Sequence, residues 1–308
     1  VTARVLSTVS VLVDLPFAAP HLPERGGDVL GVAGAPTPGG GFTVVAAAAR
    51  QDVAAALVGL VGPGPYGTLA ARCLAREGVA VLLTPEAPGP ADANGATDTG
   101  LCVTITEPDG ERTFLTAPGL EAHLTPGMLA AVRVHRKDVM VVSGYDLVNP
   151  GGRALAAWVT AVPDACVLLD PGPLVGEIDR DLLLAVAHRA DVLTLNERET
   201  RLLGGAAAVR HLVRPEATVL RRRGAAGCVL DTGTSAHTVP APAVTTVDST
   251  GAGDAHTGVL AAEVLRGTPL PEAVRRANVA GALTASRRGP ATAPTRGEID
   301  AHLARHGG

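Results

Sequence analysis

The chain has 308 residues, a formal net charge of -4, 46% hydrophobic residues and only 2% aromatic residues. That length suits one α/β domain with small insertions, and the apolar fraction supports a core built mainly from Leu, Val and Ala. There is no basic patch for nucleic acid and no acidic block typical of a disordered tail. No apolar run reaches the roughly 18 residues that a membrane span requires.

Arg4–Val13 reads as a first strand. Its VLSTVSVLV run is β-branched, lacks an A-x-A site and runs straight into Asp14, which favours a strand over a secretion signal. Residues 15–35 are rich in Pro and Gly and lead to PGGGFT at 38–43. Helix Val44–Arg50, strand Ala55–Gly59, helix Gly67–Glu77 and strand Val79–Leu83 come next. Residues 95–117, GATDTGLCVTITEPDGERTFLTA, predict a hairpin that turns at PDGE. Strands at Val139–Ser143, Cys166–Asp170, Val192–Leu195 and Thr218–Arg221 then alternate with helices at Gly152–Thr160, Arg180–Ala187 and Arg198–Leu203. Helices Asp254–Arg266, Leu270–Ser286 and Glu298–Arg305 finish the chain.

This alternation predicts an α/β fold: a doubly wound, mainly parallel sheet flanked by helices. One domain is expected over 1–308, with a small β lid from insertions at about 15–35 and 95–117. Ligands of such sheets bind beyond the carboxyl ends of the strands. SGYD (143–146), DPGP (170–173), NERE (196–199) and RRGAAG (222–227) fall at those ends. Cys73, Cys102, Cys166 and Cys228 form no C-x-x-C pair, as expected of packing thiols in a reducing cytoplasm. No H-E-x-x-H spacing points to zinc. A nicotinamide-dependent dehydrogenase is disfavoured because no G-x-G-x-x-G follows the first strand.

The densest small-residue turn is VDSTGAGDAHTG, Val247–Gly258, which runs straight into a helical stretch. A helix N-terminus presents unpaired N–H groups and a partial positive charge. Glycines in front of it let an anion approach the backbone. Gly251, Ala252 and Gly253 therefore make an anion cradle that can stabilise a transferring phosphoryl group. Asp254, ionised beside the cradle, can take the proton of an attacking hydroxyl. The same residues also fit an ordinary glycine turn with an acidic first helical turn. The single lysine, Lys137, precedes an apolar strand and cannot serve a P-loop or a strand-lysine phosphate clamp. Any phosphoryl transfer must proceed without a lysine clamp.

Five segments occur in order: PGGGFT followed by VVAAAARQ, VGPGPYGTLAARCLAREGV at 61–79, NERE, RRGAAGCVL at 222–230, and DSTGAGD at 248–254. Together they resemble the ribokinase-like (PfkB) family of sugar and nucleoside kinases over nearly the whole chain. DSTGAGD, similar to that family's C-terminal signature, is the most specific of them.

The resemblance implies that Asp254 is the catalytic base and that Gly251, Ala252 and Gly253 form the anion hole. It implies acceptor contacts from Asp14, Thr43 and the backbone of Gly39, Gly40 and Gly41. Asn196 and Glu199 would organise Mg²⁺, Glu199 through water. Gly224 and Gly227 would line the ATP site, with Asn278 near the adenine. Asp248 and Thr250 would hold a monovalent cation such as K⁺. A homodimer through the lid is the family's common assembly. Simpler readings of several residues stand beside these. Asp14 also suits a strand-end cap, and NERE an ordinary capping box. Gly224 and Gly227 also suit a strand end, and Asn278 an ordinary polar helix position. Asp170 reads as a structural strand-end carboxylate and His256 as packing. Arg112 and Phe114 read equally as substrate contacts or lid packing.

Departures from the family pattern cluster at the acceptor end. Thr43 stands where relatives carry Asn, Gly40 where ribokinases proper carry Lys, and Leu12 where an Asn is common. Pro63-Gly64 replaces the usual Asp pair. The expectation is an ATP-dependent kinase acting on a hydroxyl, primary by preference, of a sugar, sugar acid or nucleoside. The alternative from another class is a catalytically weak sugar- or nucleotide-binding regulatory protein.

Overall fold

The computed structural model describes residues 2–85, 97–162, 164–289 and 291–306. Gly95 and Ala96, at the start of the second expected insertion, lie outside them. Strands β1 (Arg4–Ser7), β2 (Val11–Ala18), β3 (Val32–Ala33) and β4 (Thr37–Gly40) precede helix α1 (Gly41–Ala49). Next come β5 (Ala54–Leu57), α2 (Pro65–Arg76), β6 (Ala80–Val81) and the hairpin β7 (Leu101–Thr106) and β8 (Arg112–Ala117). Then follow α3 (Pro126–Ala130), β9 (Val139–Ser143), α4 (Gly144–Val148), α5 (Gly152–Ala161), β10 (Cys166–Asp170) and α6 (Arg180–Arg189). The chain continues with β11 (Val192–Asn196), α7 (Glu197–Leu202), α8 (Ala206–Arg210), β12 (Thr218–Arg222), β13 (Cys228–Asp231) and β14 (Ala236–Val239). Helices α9 (Ala252–Leu265), α10 (Leu270–Ala285) and α11 (Arg296–His306) complete it.

The main sheet has the order β14-β13-β12-β11-β10-β9-β1-β5-β6. Its neighbours are parallel from β12 through to β6, while β13 and β14 add antiparallel strands at one edge. Its central strands are buried on both faces, as parallel strands under helices must be. Leu6, Met140 and Leu169 pack on the side of α5 and α6. Val5, Val141 and Leu168 pack on the side of α1, α9 and α10. Helix α9 is buried from Ala255 to Glu263, which holds its N-terminus fixed at the sheet's carboxyl edge.

The lid is a second sheet of order β3-β2-β7-β8, with β4 also paired to β2. The single first strand expected over Arg4–Val13 is two strands in different sheets. Ser10 is the divider: its backbone N–H and hydroxyl donate to Asp146 at 3.0 and 2.6 Å, and its carbonyl accepts from Gly41 at 2.8 Å. With those groups spent elsewhere, neither ladder can run through it. Asp14 therefore belongs to the lid rather than to the end of the first main-sheet strand. The short helices α3, α4 and α8, of five residues each, were not expected because no periodic pattern fits in so few positions.

Candidate active site

Gly251 is the N-cap of α9 and adopts a left-handed conformation, φ 75°, that a side chain would strain. No side chain among the described residues caps this end of the helix. The first turn of α9 therefore faces the cleft with its backbone and its dipole. Gly251, Ala252 and Gly253 form this turn, and Asp254 follows in it.

Asp254 is half-buried, and its pKa is pushed up to about 7. Burial is the main cause, and the Asp170 charge adds to it. Arg222 pulls the value down, and Asp14 raises it again. A carboxylate poised near neutrality is suited to accept a proton and release it within one turnover.

Asp14 lies on β2, and burial pushes its pKa up to about 6. β4 pairs with β2 so that Leu12 faces Gly39 and Asp14 faces Thr37. A side chain on Gly39 would collide with the Asp14 carboxylate, so the bare glycine makes the room that carboxylate occupies. Gly40 and Gly41 carry the chain from β4 into α1, and Thr43 is buried there with no partner for its hydroxyl among the described residues. The two carboxylates lie close enough for Asp14 to perturb Asp254, so the structure brings the expected acceptor group and base together.

The lid registers show what covers them. Asp14 pairs with Cys102 and Cys102 with Thr116; Thr104 pairs with Phe114, and Thr106 with Arg112. Alternation puts all of these on one face of the lid sheet, the face that carries Asp14. Arg112 reaches across to the loop before the cradle, donating to Asp248 at 2.6 Å and to the Ser249 hydroxyl at 3.0 Å. Asp248 also accepts from the Thr250 N–H and hydroxyl and from the Gly289 N–H. Partial burial opposes its ionisation, but the Thr250 and Gly289 donors and the Arg112 charge hold its carboxyl below the usual range.

Asn196 and Glu199 form a complete capping box at the start of α7. Glu199 is buried, which raises its pKa, and it faces Arg222 at 3.6 Å. The residue that starts the helix thus also enters the charge cluster. Arg222, the last residue of β12, was not among the expected site residues. It pairs with Asp170 at 2.6 Å and donates to the Thr257 hydroxyl of α9 at 3.1 Å. Asp170 is therefore part of the site's charge network, not merely a strand-end group.

Tyr145 is a second residue missed by the sequence reading. It lies in α4 directly beyond β9 and is 42% exposed, unusual in a chain so poor in aromatics. Its pKa is pushed up to about 12 by burial of its hydroxyl end and by the Asp254 charge, which places it within the field of the cleft.

At the expected nucleotide side, Gly224 has open space where a side chain would stand, whereas Gly227 packs against the Val239 carbonyl. The Asn278 amide donates to the carbonyls of Val239 and Pro240, tying α10 to the segment after β14. His256 is buried and held neutral, its pKa lowered to about 3 chiefly by burial, in keeping with a packing role.

Residues 10–296 match the pfkB family of carbohydrate kinases. The chain is 28% identical over 304 residues to the sugar kinase YegV of Escherichia coli, covering 94% of this chain and 91% of that protein. It is 30% identical over 308 residues to the ATP-dependent ribose-1-phosphate kinase of Halopiger xanaduensis, covering 97% and 98%. Among solved structures, the fructokinase of Vibrio cholerae bound to fructose, ADP and calcium superposes with a TM-score of 0.77 at 25% identity, covering 98% and 99%. The ribokinase of Giardia lamblia shares the fold with a TM-score of 0.82 at 18% identity, covering 99% and 100%. With the cradle, the carboxylate beside it and the lid already in place, the chain belongs to the pfkB family of carbohydrate kinases.

Proposed function

We propose that this protein transfers the γ-phosphoryl group of ATP to a hydroxyl, primary by preference, of a sugar or sugar-like acceptor. The observation that carries this reading is Asp254, poised near neutrality one residue beyond a left-handed glycine cradle and within the field of Asp14. Asp14 and the Gly39–Gly41 backbone orient the acceptor beneath the lid. Asp254 takes the hydroxyl proton as the oxygen attacks phosphorus. The bond from phosphorus to the leaving oxygen breaks, and ADP departs with the electron pair. The first-turn amides of α9 meet the charge on the transferring group.

Gly224 leaves room for a nucleotide beside β12, with Gly227 and Asn278 shaping that side. Magnesium, when bound with the nucleotide, neutralises phosphate charge. Among the described residues no cluster of three or more acidic, His or Cys side chains is disposed to hold a metal. The oxygen donors present fit an ion carried mainly by the nucleotide phosphates, with Glu199 acting through water. A monovalent cation at Asp248 and Thr250 is a poorer fit, because the Asp248 oxygens already accept from Arg112, Thr250 and Gly289. No step is therefore assigned to potassium.

Phe114, 56% exposed and in the lid row next to Asp14, offers a flat apolar face, and this favours a nucleoside acceptor as the second reading. The opposite lid face carries Phe17 and Leu115, 38% and 71% exposed, which a second copy of the chain would cover. The free cysteines fit a cytoplasmic site of action. No helix among the described residues is long and apolar enough to cross a membrane. A panel of pentoses, hexoses, sugar acids and nucleosides, scored by acceptor-dependent ADP release, tests the proposal. Absence of stimulation by every member, with ATP bound, would favour the binding-protein alternative.

A further inference from the structure

We infer that Arg222 is a catalytic residue: its guanidinium is the fixed cation of the phosphate cradle and contacts the transferring phosphoryl group. The inference rests on the kinase reading above.

The first observation is position. A Cβ built on Gly253 would lie 3.8 Å from the guanidinium carbon and 3.9 and 4.0 Å from its two terminal nitrogens. The bare face of the cradle's third residue thus looks directly onto the cation. A phosphoryl oxygen drawn to the first turn of α9 reaches the guanidinium with no intervening side chain at Gly253.

The second observation is preorganisation. One terminal nitrogen bonds Asp170 at 2.6 Å and Thr257 at 3.1 Å, and the other lies 3.3 Å from Asp170 and 3.6 Å from Glu199. Anchors from β10, α7 and α9 therefore fix the plane of the group at the carboxyl edge of the sheet. A planar fork held in this way is suited to phosphate oxygens.

The third observation is charge. Asp170, Glu199, Asp254 and Asp14 all press negative charge on this end of the sheet, as their mutual effects show. Arg222 is the cation that offsets Asp170, Glu199 and Asp254, with Arg198 adding to it at Glu199. A polyanionic triphosphate chain entering among carboxylates needs a resident positive charge. The only lysine is Lys137, before β9, at the opposite end of the strands from the cradle.

A purely architectural role, pinning β10, β12 and α9 together, makes different predictions. Three variants separate the two: Arg222→Lys, Arg222→Gln, and Arg222→Gln combined with Asp170→Asn. The single glutamine variant leaves Asp170 buried without its cation, which is destabilising in itself. The double variant relieves that charge, and its two changes act in opposite directions on the Asp254 pKa, so the loss it reads is chiefly that of the guanidinium contact. Melting temperature, MgADP affinity, affinity for MgADP with fluoroaluminate, and kcat on the best panel acceptor are measured for each.

The inference predicts that the double variant melts near wild type and binds MgADP within about threefold. It should lose about 10²–10³-fold in kcat, the scale of one lost transition-state donor, with a comparable loss of the extra affinity conferred by fluoroaluminate. Lysine should restore part of both. Recovery of turnover along with stability in the double variant would overturn the inference and leave Arg222 as a pin. A wild-type protein that binds MgADP but shows no turnover and no fluoroaluminate enhancement would overturn the kinase reading itself, and this inference with it.

Discussion

The Arg112 guanidinium of the lid lies 2.6 Å from the carboxylate of Asp248, at the head of the loop that leads into α9. A residue of the small second sheet is therefore bonded to the segment that leads into the first turn of α9. Both side chains are about one-quarter exposed, so the pair contributes modestly to stability, on the order of 0.2–1 kcal/mol. Its larger effect is to fix the lid's position.

Replacing Arg112 with Ala should accordingly leave the melting temperature nearly unchanged. The acceptor KM should rise about tenfold, and the ratio of ATP hydrolysis to acceptor phosphorylation should increase, because an unlatched lid admits water. The vacated Asp248 oxygens should also make turnover responsive to added K⁺. Parallel assays of ADP and phosphorylated product, with and without K⁺, check all three outcomes.

Asp254 must be ionised to accept a proton, and its pKa is pushed up to about 7. The rate should therefore rise with pH through an acid limb near 7. Asp14 is one of the groups that raise that value. Asp14→Asn should raise the acceptor KM and shift the acid limb of kcat/KM, which reports the free enzyme, to lower pH. Rate profiles from pH 5 to 9 on both proteins give the comparison.

The order of strands and helices was legible because strands buried on both faces read as unbroken apolar runs. The helix start at Gly251 to Asp254 was legible because these residues are contiguous, so one turn carries both the proposed anion site and the proposed base. The division of the first strand was not, because its cause is Asp146, 136 residues away from Ser10. Arg222 was hidden for a similar reason. It is the middle of three consecutive arginines, and only its contact with Asp170, 52 residues earlier, reveals that it points into the site. Tyr145 gave no signal beyond its place after a strand, since its exposure is decided by the fold around it.

Asp146 gives a prediction about stability. Burial pushes its pKa up to about 7, the Ser10 hydrogen bonds oppose that, and the Glu121 charge adds to it. Between about pH 4, where a free Asp titrates, and pH 7, the folded protein holds a proton that the unfolded chain has lost. Stability therefore falls as pH rises through that window. Asp146→Asn removes this contribution while leaving those of Asp14 and Asp254. The variant's advantage over wild type should be larger at pH 8 than at pH 5, by on the order of 2–3 kcal/mol. Urea unfolding at the two pH values tests the sign.

Whether Asp254 is the base of a phosphoryl transfer is decided by comparing wild type with Asp254→Asn. Acceptor-dependent ADP release across the sugar and nucleoside panel would be measured beside MgATP affinity. With Asp254 as the base, at least one acceptor should stimulate ADP release in wild type. The variant should then lose about two or more orders of magnitude in kcat, with MgATP affinity little changed. Near-normal turnover by the variant would contradict that role.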